Sequence, residues 1–157
     1  MAFTPVIDTD MTALFTVVNQ QGEIVTIDLQ EEASFSQHTL QQDMAEHAAK
    51  YAYWSGMFSQ VQRKQKEAES YFEIVEARLS NAARHQLMQE TGKAPAATTV
   101  ASAIVPNQEY QDAKKSVSDW ELTADNLKYF LKALDHRLSM MQQVSANTRK
   151  DIDNNIV

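Results

Sequence analysis

The side chains best suited to bind a ligand form the basic run Arg63-Lys64-Gln65-Lys66. Single-stranded nucleic acid is bound by cations that contact its phosphates and by aromatic rings on which its bases stack. The run therefore indicates a nucleic-acid contact through Arg63, Lys64 and Lys66. The alternative is a solvated helix face, because Glu67 and Glu69 follow these cations and can neutralise them.

The aromatic residues that precede the basic run fall into two groups. Tyr51, Trp54 and Phe58 recur at the three- and four-residue steps of a heptad, which is typical of a helix core. Tyr53 lies off that stripe. We therefore expect the first three rings to be packed in the core and Tyr53 to be the ring available for base stacking.

No pattern of catalytic residues accompanies the basic run. The three glycines, Gly22, Gly56 and Gly92, are isolated, so the sequence has no Gly-rich phosphate loop. None of the four histidines has a glutamate three residues before it, as a carboxylate-bridged metal site in a helical bundle needs. Asp43 and His47 share a helix face, but one such pair is more typical of a core histidine than of a metal ligand. We expect no enzymatic activity, no cofactor and no metal.

Two long helices must position these side chains. Apolar residues recur at alternating steps of four and three over residues 40–82 and again over residues 113–141. This pattern predicts two helices, over about 36–91 and 107–151. The connection between them is short, which favours an antiparallel helical hairpin with a heptad-like seam and an all-α fold. The alternative is a swapped arrangement, in which the helices of two chains pair through the same seam.

The ends of both helices carry sequence signals. Ser36 or Thr39 can cap the start of the first helix, and Asn107 can cap the start of the second. Gly92, followed by Pro95, marks the end of the first helix.

The N-terminal segment has a different pattern. The β-branched runs Leu14–Val18 and Ile24–Leu29 flank the turn-like sequence 19–22, which predicts a small β-hairpin. An isolated hairpin is marginally stable in water, so it needs a helix or a neighbouring copy to pack against. The chain therefore divides into an N-terminal segment, 1–32, and a helical hairpin for oligomerisation and binding, 33–157.

The negative charge is concentrated in the N-terminal third. The formal net charge is −7, and residues 1–49 hold eight of the 21 acids but none of the 14 bases. Residues 50–157 therefore carry 14 bases against 13 acids, a balance of +1. The overall acidity does not exclude an anionic partner for the helices.

Composition also indicates the compartment. The chain has no Cys, which fits a reducing environment. It has no apolar run long enough to span a membrane, and its first ten residues lack the features of a signal peptide. We expect a cytoplasmic protein without a membrane partner.

A single seam leaves many apolar residues without cover. Self-association is the simplest way to cover them, and the alternative is that the N-terminal segment covers them within one chain. The apolar residues off the seam are Tyr53, Met57, Tyr71, Ile74, Leu87, Met88, Leu122, Tyr129, Phe130 and Met140.

Seven motifs follow one another over residues 40–151. In chain order they are Tyr51-x-x-Trp54, Gln62-Arg63-Lys64-Gln65-Lys66-Glu67, Ala77-Arg78-Leu79, Ile104-Val105, Trp120, Leu131-Lys132-Ala133-Leu134-Asp135-His136-Arg137 and Val144-Ser145-Ala146-Asn147-Thr148-Arg149. This order of motifs resembles the UvsY-like phage recombination mediators. The resemblance implies a ring-like homo-oligomer that binds single-stranded DNA. Such mediators help a RecA-type recombinase load onto DNA coated with single-strand-binding protein. For a phage-encoded chain, the compartment is the host cytoplasm.

The resemblance also implies which residues contact DNA. The family's DNA contact is the basic stretch of its first helix, which corresponds here to Arg63, Lys64 and Lys66 and extends to Arg78. The acidic N-terminal segment is a departure from the family. It prompts two hypotheses: that the segment shields the basic run, or that its strands pair between subunits and lock the ring.

Two other functions are compatible with the sequence. A phage assembly protein or coiled-coil adaptor that binds only protein explains the heptads equally well. An inhibitor whose acidic N-terminal third mimics nucleic acid is the third interpretation, and it predicts no DNA binding by this chain.

Overall fold

The structure, a computed structural model, describes residues 2–3, 14–18 and 23–155, with the side chains of residues 14–16 and 23–151. In chain order the elements are β1 (Ala2–Phe3), β2 (Leu14–Val18), β3 (Ile24–Asp28), α1 (Leu29–Ala33), α2 (Leu40–Thr91), α3 (Ala97–Ile104) and α4 (Gln108–Asn155). The long helices α2 and α4 pack together, and a small antiparallel sheet precedes them. The predicted helical hairpin and the predicted N-terminal strands are therefore confirmed.

The helix ends follow from local hydrogen bonds. Before α2, the backbone N–H groups of Ser36 and Thr39 each donate to the other residue's hydroxyl, at 3.3 Å. The helix therefore begins at Leu40, four residues later than expected. Gly92 ends it with φ of +66°, a left-handed conformation that a side chain would strain. Asn107 caps α4, because its Oδ1 accepts from the backbone N–H groups of Glu109 and Tyr110.

The sheet has the strand order β1-β2-β3, and both pairs are antiparallel. Phe15 is opposite Ile27, and Thr16 is opposite Thr26. Strand β3 is one residue shorter than predicted, because Asp28 accepts from the backbone N–H groups of Gln30 and Glu31 and so starts α1 at Leu29. The predicted turn at 19–22 lies outside the described residues.

The chain forms two compact units, and each has its own core. The first unit contains residues 1–61 and 123–157. Trp54 is at its centre, with 1% of its surface exposed. Its ring makes edge-to-face contacts with Phe15 of β2 at 5.8 Å and with Phe130 of α4 at 4.9 Å, measured between ring centroids. Trp54 thus joins the sheet to both long helices.

The second unit contains residues 62–122, which include α3. Val100 and Ile104 are the buried residues of α3, and Val75 of α2 and Ala113 of α4 are buried in the same unit. The rings of Phe72 and Tyr110 meet with their centroids 5.3 Å apart. The short helix in the connection therefore supplies apolar side chains to the core of this unit.

The expectation for apolar residues off the seam was wrong at two positions. Met57 and Phe130 are buried in the first unit, where Phe130 packs on Trp54. Leu87 is half-buried. The others are exposed, as predicted: Tyr53, Tyr71, Ile74, Met88, Leu122, Tyr129 and Met140.

Candidate nucleic-acid interface

The predicted basic run is exposed on α2, in the second unit. Arg63, Lys64 and Lys66 all project into solvent, and 80% of the Arg63 side chain is accessible. They lie within four consecutive residues, so they occupy little more than one helical turn. Three cations on one turn can contact consecutive phosphates of a flexible strand.

Glu67 is the counter-charge of this run. Its Oε1 accepts from Arg63 Nε at 2.9 Å, and its Oε2 accepts from Lys64 Nζ at 2.8 Å. The hydrogen bonds from Lys64 and then Arg63 lower the pKa of the Glu67 carboxyl. A phosphate that binds Arg63 or Lys64 therefore competes with this carboxylate for the same cations.

Lys66 is the cation of the run with no ion pair among the described residues. Gln65, between Lys64 and Lys66, donates through its amide to Glu69 at 2.9 Å. Three bases and two acids leave the stretch 63–69 with a charge of +1. The run therefore has a small net positive charge.

Arg78 is held by an ion pair with Glu109 of α4, within the second unit. The hydrogen bond that the Arg78 guanidinium donates to the Glu109 carboxylate raises the pKa of Arg78. This cation joins α2 to α4 and is neutralised there. Among the predicted DNA contacts, Arg78 is the one whose ion pair with the other helix competes most directly with phosphate binding.

Tyr53 belongs to the first unit, so it is described separately from the basic run. Its side chain is 43% exposed, and its ring meets Trp54 edge-on, with the centroids 5.4 Å apart. This contact fixes the ring while one part of it stays open to solvent. Trp54 is buried, whereas Tyr51 and Phe58 are half-buried, so the prediction of a core position is confirmed in full for Trp54 and in part for the other two rings.

A second aromatic and basic cluster lies on α4 and was not predicted as a site. Tyr129 is 63% exposed, and the Nζ of Lys132 lies 5.3 Å from the centre of its ring. Lys128 is exposed beside it. Neither lysine has a carboxylate partner among the described side chains. The sequence signal for this cluster was an aromatic residue off the seam, with one lysine directly before it and another three residues after it.

Arg137 of α4 is buried, although a charged residue on a helix is usually solvated. Only 3% of its side chain is exposed. Its Nη2 donates to Asp43 Oδ1 at 2.5 Å, and its Nε donates to the Ser34 carbonyl at 3.1 Å. Arg137 therefore ties α4 to the start of α2 and to the segment before it.

His47 and Asp43 share a helix face, as expected, but they do not form a metal site. Asp43 pairs with Arg137 and accepts from the Thr39 hydroxyl at 2.6 Å. His47 is buried, and its ring packs against Tyr51 at 6.2 Å between centroids. Burial is the main cause that lowers the pKa of His47, and the nearby Arg137 adds to the effect. Within the described part of the chain, no group of three His, Asp or Glu residues could hold a metal ion.

Comparison of this chain with protein-family models, with curated proteins and with solved structures finds no match. No helix in the described ranges is long and apolar enough to cross a membrane. The functional conclusion therefore depends on the residues themselves.

Proposed function

We propose that this protein is a non-enzymatic recombination mediator that binds single-stranded DNA as a homo-oligomer. In this role it helps a RecA-type recombinase load onto DNA coated with single-strand-binding protein. The order of its motifs supports the proposal, as does the packing of its long helices. The observation that carries it is the exposure of Arg63, Lys64 and Lys66 on one turn of α2 with Glu67 as the counter-charge that Arg63 and Lys64 share.

The mechanism is electrostatic and multivalent. Each subunit offers a small positive patch, and a phosphate displaces Glu67 to reach it. Several patches on one oligomer act together, because after the first contact the others bind at high effective concentration. The released counterions make the affinity fall as salt rises.

A coiled-coil adaptor that binds only protein is the second candidate. Tyr71 and Ile74 favour it, because both are exposed apolar residues three positions apart on α2. In that case, Arg63 and Lys64 serve the helix through Glu67 and bind no phosphate.

The test is fluorescence anisotropy of a labelled oligonucleotide of about 40 nucleotides, long enough for several contacts, at a series of salt concentrations. The test variant combines Arg63→Glu, Lys64→Glu and Lys66→Glu. The control combines Arg84→Glu, Lys93→Glu and Lys115→Glu, which makes the same change in charge at three exposed bases of the same unit.

The proposed function predicts salt-sensitive binding by the wild type and the control, and loss of binding by the test variant. In the wild type, three cations that each bind a phosphate of a single strand should contribute about −2 to the slope of log K against log salt for every subunit in contact with the strand. Equal binding by the two variants would assign the basic run to the solvated surface. An oligomer that does not bind DNA even at low salt would favour the coiled-coil adaptor function.

A further inference from the structure

We propose that the outer edge of β3 pairs antiparallel with β3 of a second copy of this chain, so that two small sheets join into one. This inference rests on the homo-oligomer of the proposed function and names one of its contacts.

The outer edge of β3 is open. The strand order β1-β2-β3 leaves β3 at one side of the sheet. Ile24 is 75% exposed, Val25 is 39% exposed, and Thr26 is exposed as well. In the part of the chain that the structure describes, no strand pairs with this edge.

The edge also lacks lysine, proline and a bulge, three features that protect edge strands from pairing. Exposed edge strands are usually protected by lysine, proline or a β-bulge. The sequence of β3, Ile24-Val25-Thr26-Ile27-Asp28, contains no lysine or proline. Its register with β2 is continuous over all five residues, so it has no bulge. Such an edge is a template for another strand.

The strand is complementary to itself. A two-fold axis through Thr26 pairs all five residues of each copy: Ile24 with Asp28, Val25 with Ile27, and Thr26 with its equivalent. Val25 and Ile27 share the sheet face of Phe15, because Ile27 is opposite Phe15 and side chains alternate along a strand. The two-fold pairing therefore places apolar residues next to apolar residues on that face.

The charges permit this contact. The carboxylate of Asp28 accepts from two backbone N–H groups at the start of α1. In the two-fold register it lies opposite Ile24, so no acid faces another acid within the strand. On α1, the carboxylate of Glu32 pairs with Lys50 at 2.9 Å. The two-fold register therefore sets no two carboxylates of the β3 strands face to face.

The contact makes a closed pair. A two-fold contact uses the same surface on both copies and adds no third copy, so a larger ring needs another interface. Five residues from each chain bury less than the roughly 800 Å² per partner of a standard interface. We expect the pair to form at high protein concentration and to dissociate on dilution.

Cross-linking tests the register directly. The chain has no Cys, so Thr26→Cys introduces a unique thiol. Facing residues of an antiparallel pair have Cα atoms about 4.5–5.5 Å apart, within the range that a disulfide spans. Mild oxidation should give a covalent dimer.

Ile24→Cys is the matched control on the same strand and face, and its two thiols would lie about 14 Å apart along the strands, too far to join. Absence of a Thr26→Cys dimer, or equal cross-linking of the control, overturns the proposal.

Mass in solution tests the same contact without oxidation. Thr26→Lys and Thr26→Glu should each shift the protein toward the monomer, because like charges meet at the axis, and an equimolar mixture should restore the pair. Thr98→Lys, an exposed threonine of α3, is the control and should keep the wild-type mass. A wild-type monomer at every concentration, or two Thr26 variants with wild-type mass, overturns the proposal. Neither assay uses DNA, so a failure here is distinguishable from a failure of DNA binding.

Discussion

Replacing Arg137 by Met should destabilise the first unit far more than the loss of any exposed cation. The guanidinium is almost fully buried and donates to Asp43 and to the Ser34 carbonyl. Removing one partner of a buried ion pair costs about 3–5 kcal/mol, because the other charge stays buried without compensation. Asp43 keeps its hydrogen bond from Thr39, and 19% of its side chain is exposed, so water can solvate part of its charge. We therefore expect a loss of about 2–3 kcal/mol, below the range for a fully buried pair.

Urea unfolding followed by far-UV circular dichroism measures this loss. The matched control is Arg149→Met on the same helix, an exposed base without an ion pair among the described residues. It should change the free energy of unfolding by no more than about 0.5 kcal/mol. For a chain of this length the Arg137→Met loss corresponds to a fall in Tm of about 5–10 °C.

A double-mutant cycle with Asp43→Asn isolates the ion pair. The two single losses should together exceed the loss in the double variant by about 1–2 kcal/mol, because the partners interact directly. Additivity within about 0.5 kcal/mol would refute the pairing.

The same ion pair predicts a dependence on acid pH. The Thr39 hydrogen bond and Arg137 lower the pKa of Asp43 in the folded state. A carboxyl whose folded pKa lies below its unfolded value stabilises the protein at neutral pH, and that stability is lost as pH falls below about 4. Arg137→Met should make this acid transition shallower.

Two further predictions concern other residues. Glu67→Gln should tighten DNA binding by about fourfold, because it breaks two exposed ion pairs, with Arg63 and Lys64, and each is worth about twofold in affinity. Fluorescence anisotropy measures this change. Weaker or unchanged binding would mean that Glu67 does not compete with phosphate. His47→Leu should make the stability of the protein less sensitive to mild acid. The lowered pKa keeps the buried His47 neutral in the folded state. The unfolded chain therefore binds more protons than the folded one below about pH 6.5, and the stability of the wild type falls there. Urea unfolding at neutral and mildly acidic pH tests this, and an equal fall in both proteins would exclude His47 as the cause.

Periodicity was enough to predict the helical framework. The heptad stripes identified α2 and α4, and Gly92 and Asn107 marked two of their ends through local backbone chemistry. Phe130 could not be predicted as buried, because the ring that covers it, Trp54, is far away in the sequence. A heptad count considers one helix face, whereas the aromatic cluster on Trp54 is assembled from β2, α2 and α4.

The buried Arg137 could not be predicted for a related reason. A charged residue on a helix is usually solvated, and the partner that permits its burial, Asp43, is 94 residues away. The exposed run at Arg63 was easier to identify, because its cations and its counter-charge Glu67 lie within one turn of the same helix. Local interactions are visible in a sequence and long-range ones are not, which is why the exposure of the candidate DNA contact was predicted better than the core.

The use of cations elsewhere in the fold bears on how DNA would be bound. Arg137, Lys50 and Arg78 are each paired with an acid, so their charges are balanced and add little to the positive surface. The run at residues 63–69 retains a charge of only +1. A single chain should therefore bind a strand weakly, and useful affinity must come from several copies acting together. If β3 pairing supplies one contact of the oligomer, Thr26→Lys should weaken binding to a long oligonucleotide and leave binding to one too short for two subunits unchanged. Equal weakening for both lengths would show that the substitution does not act on DNA binding through the absence of the partner.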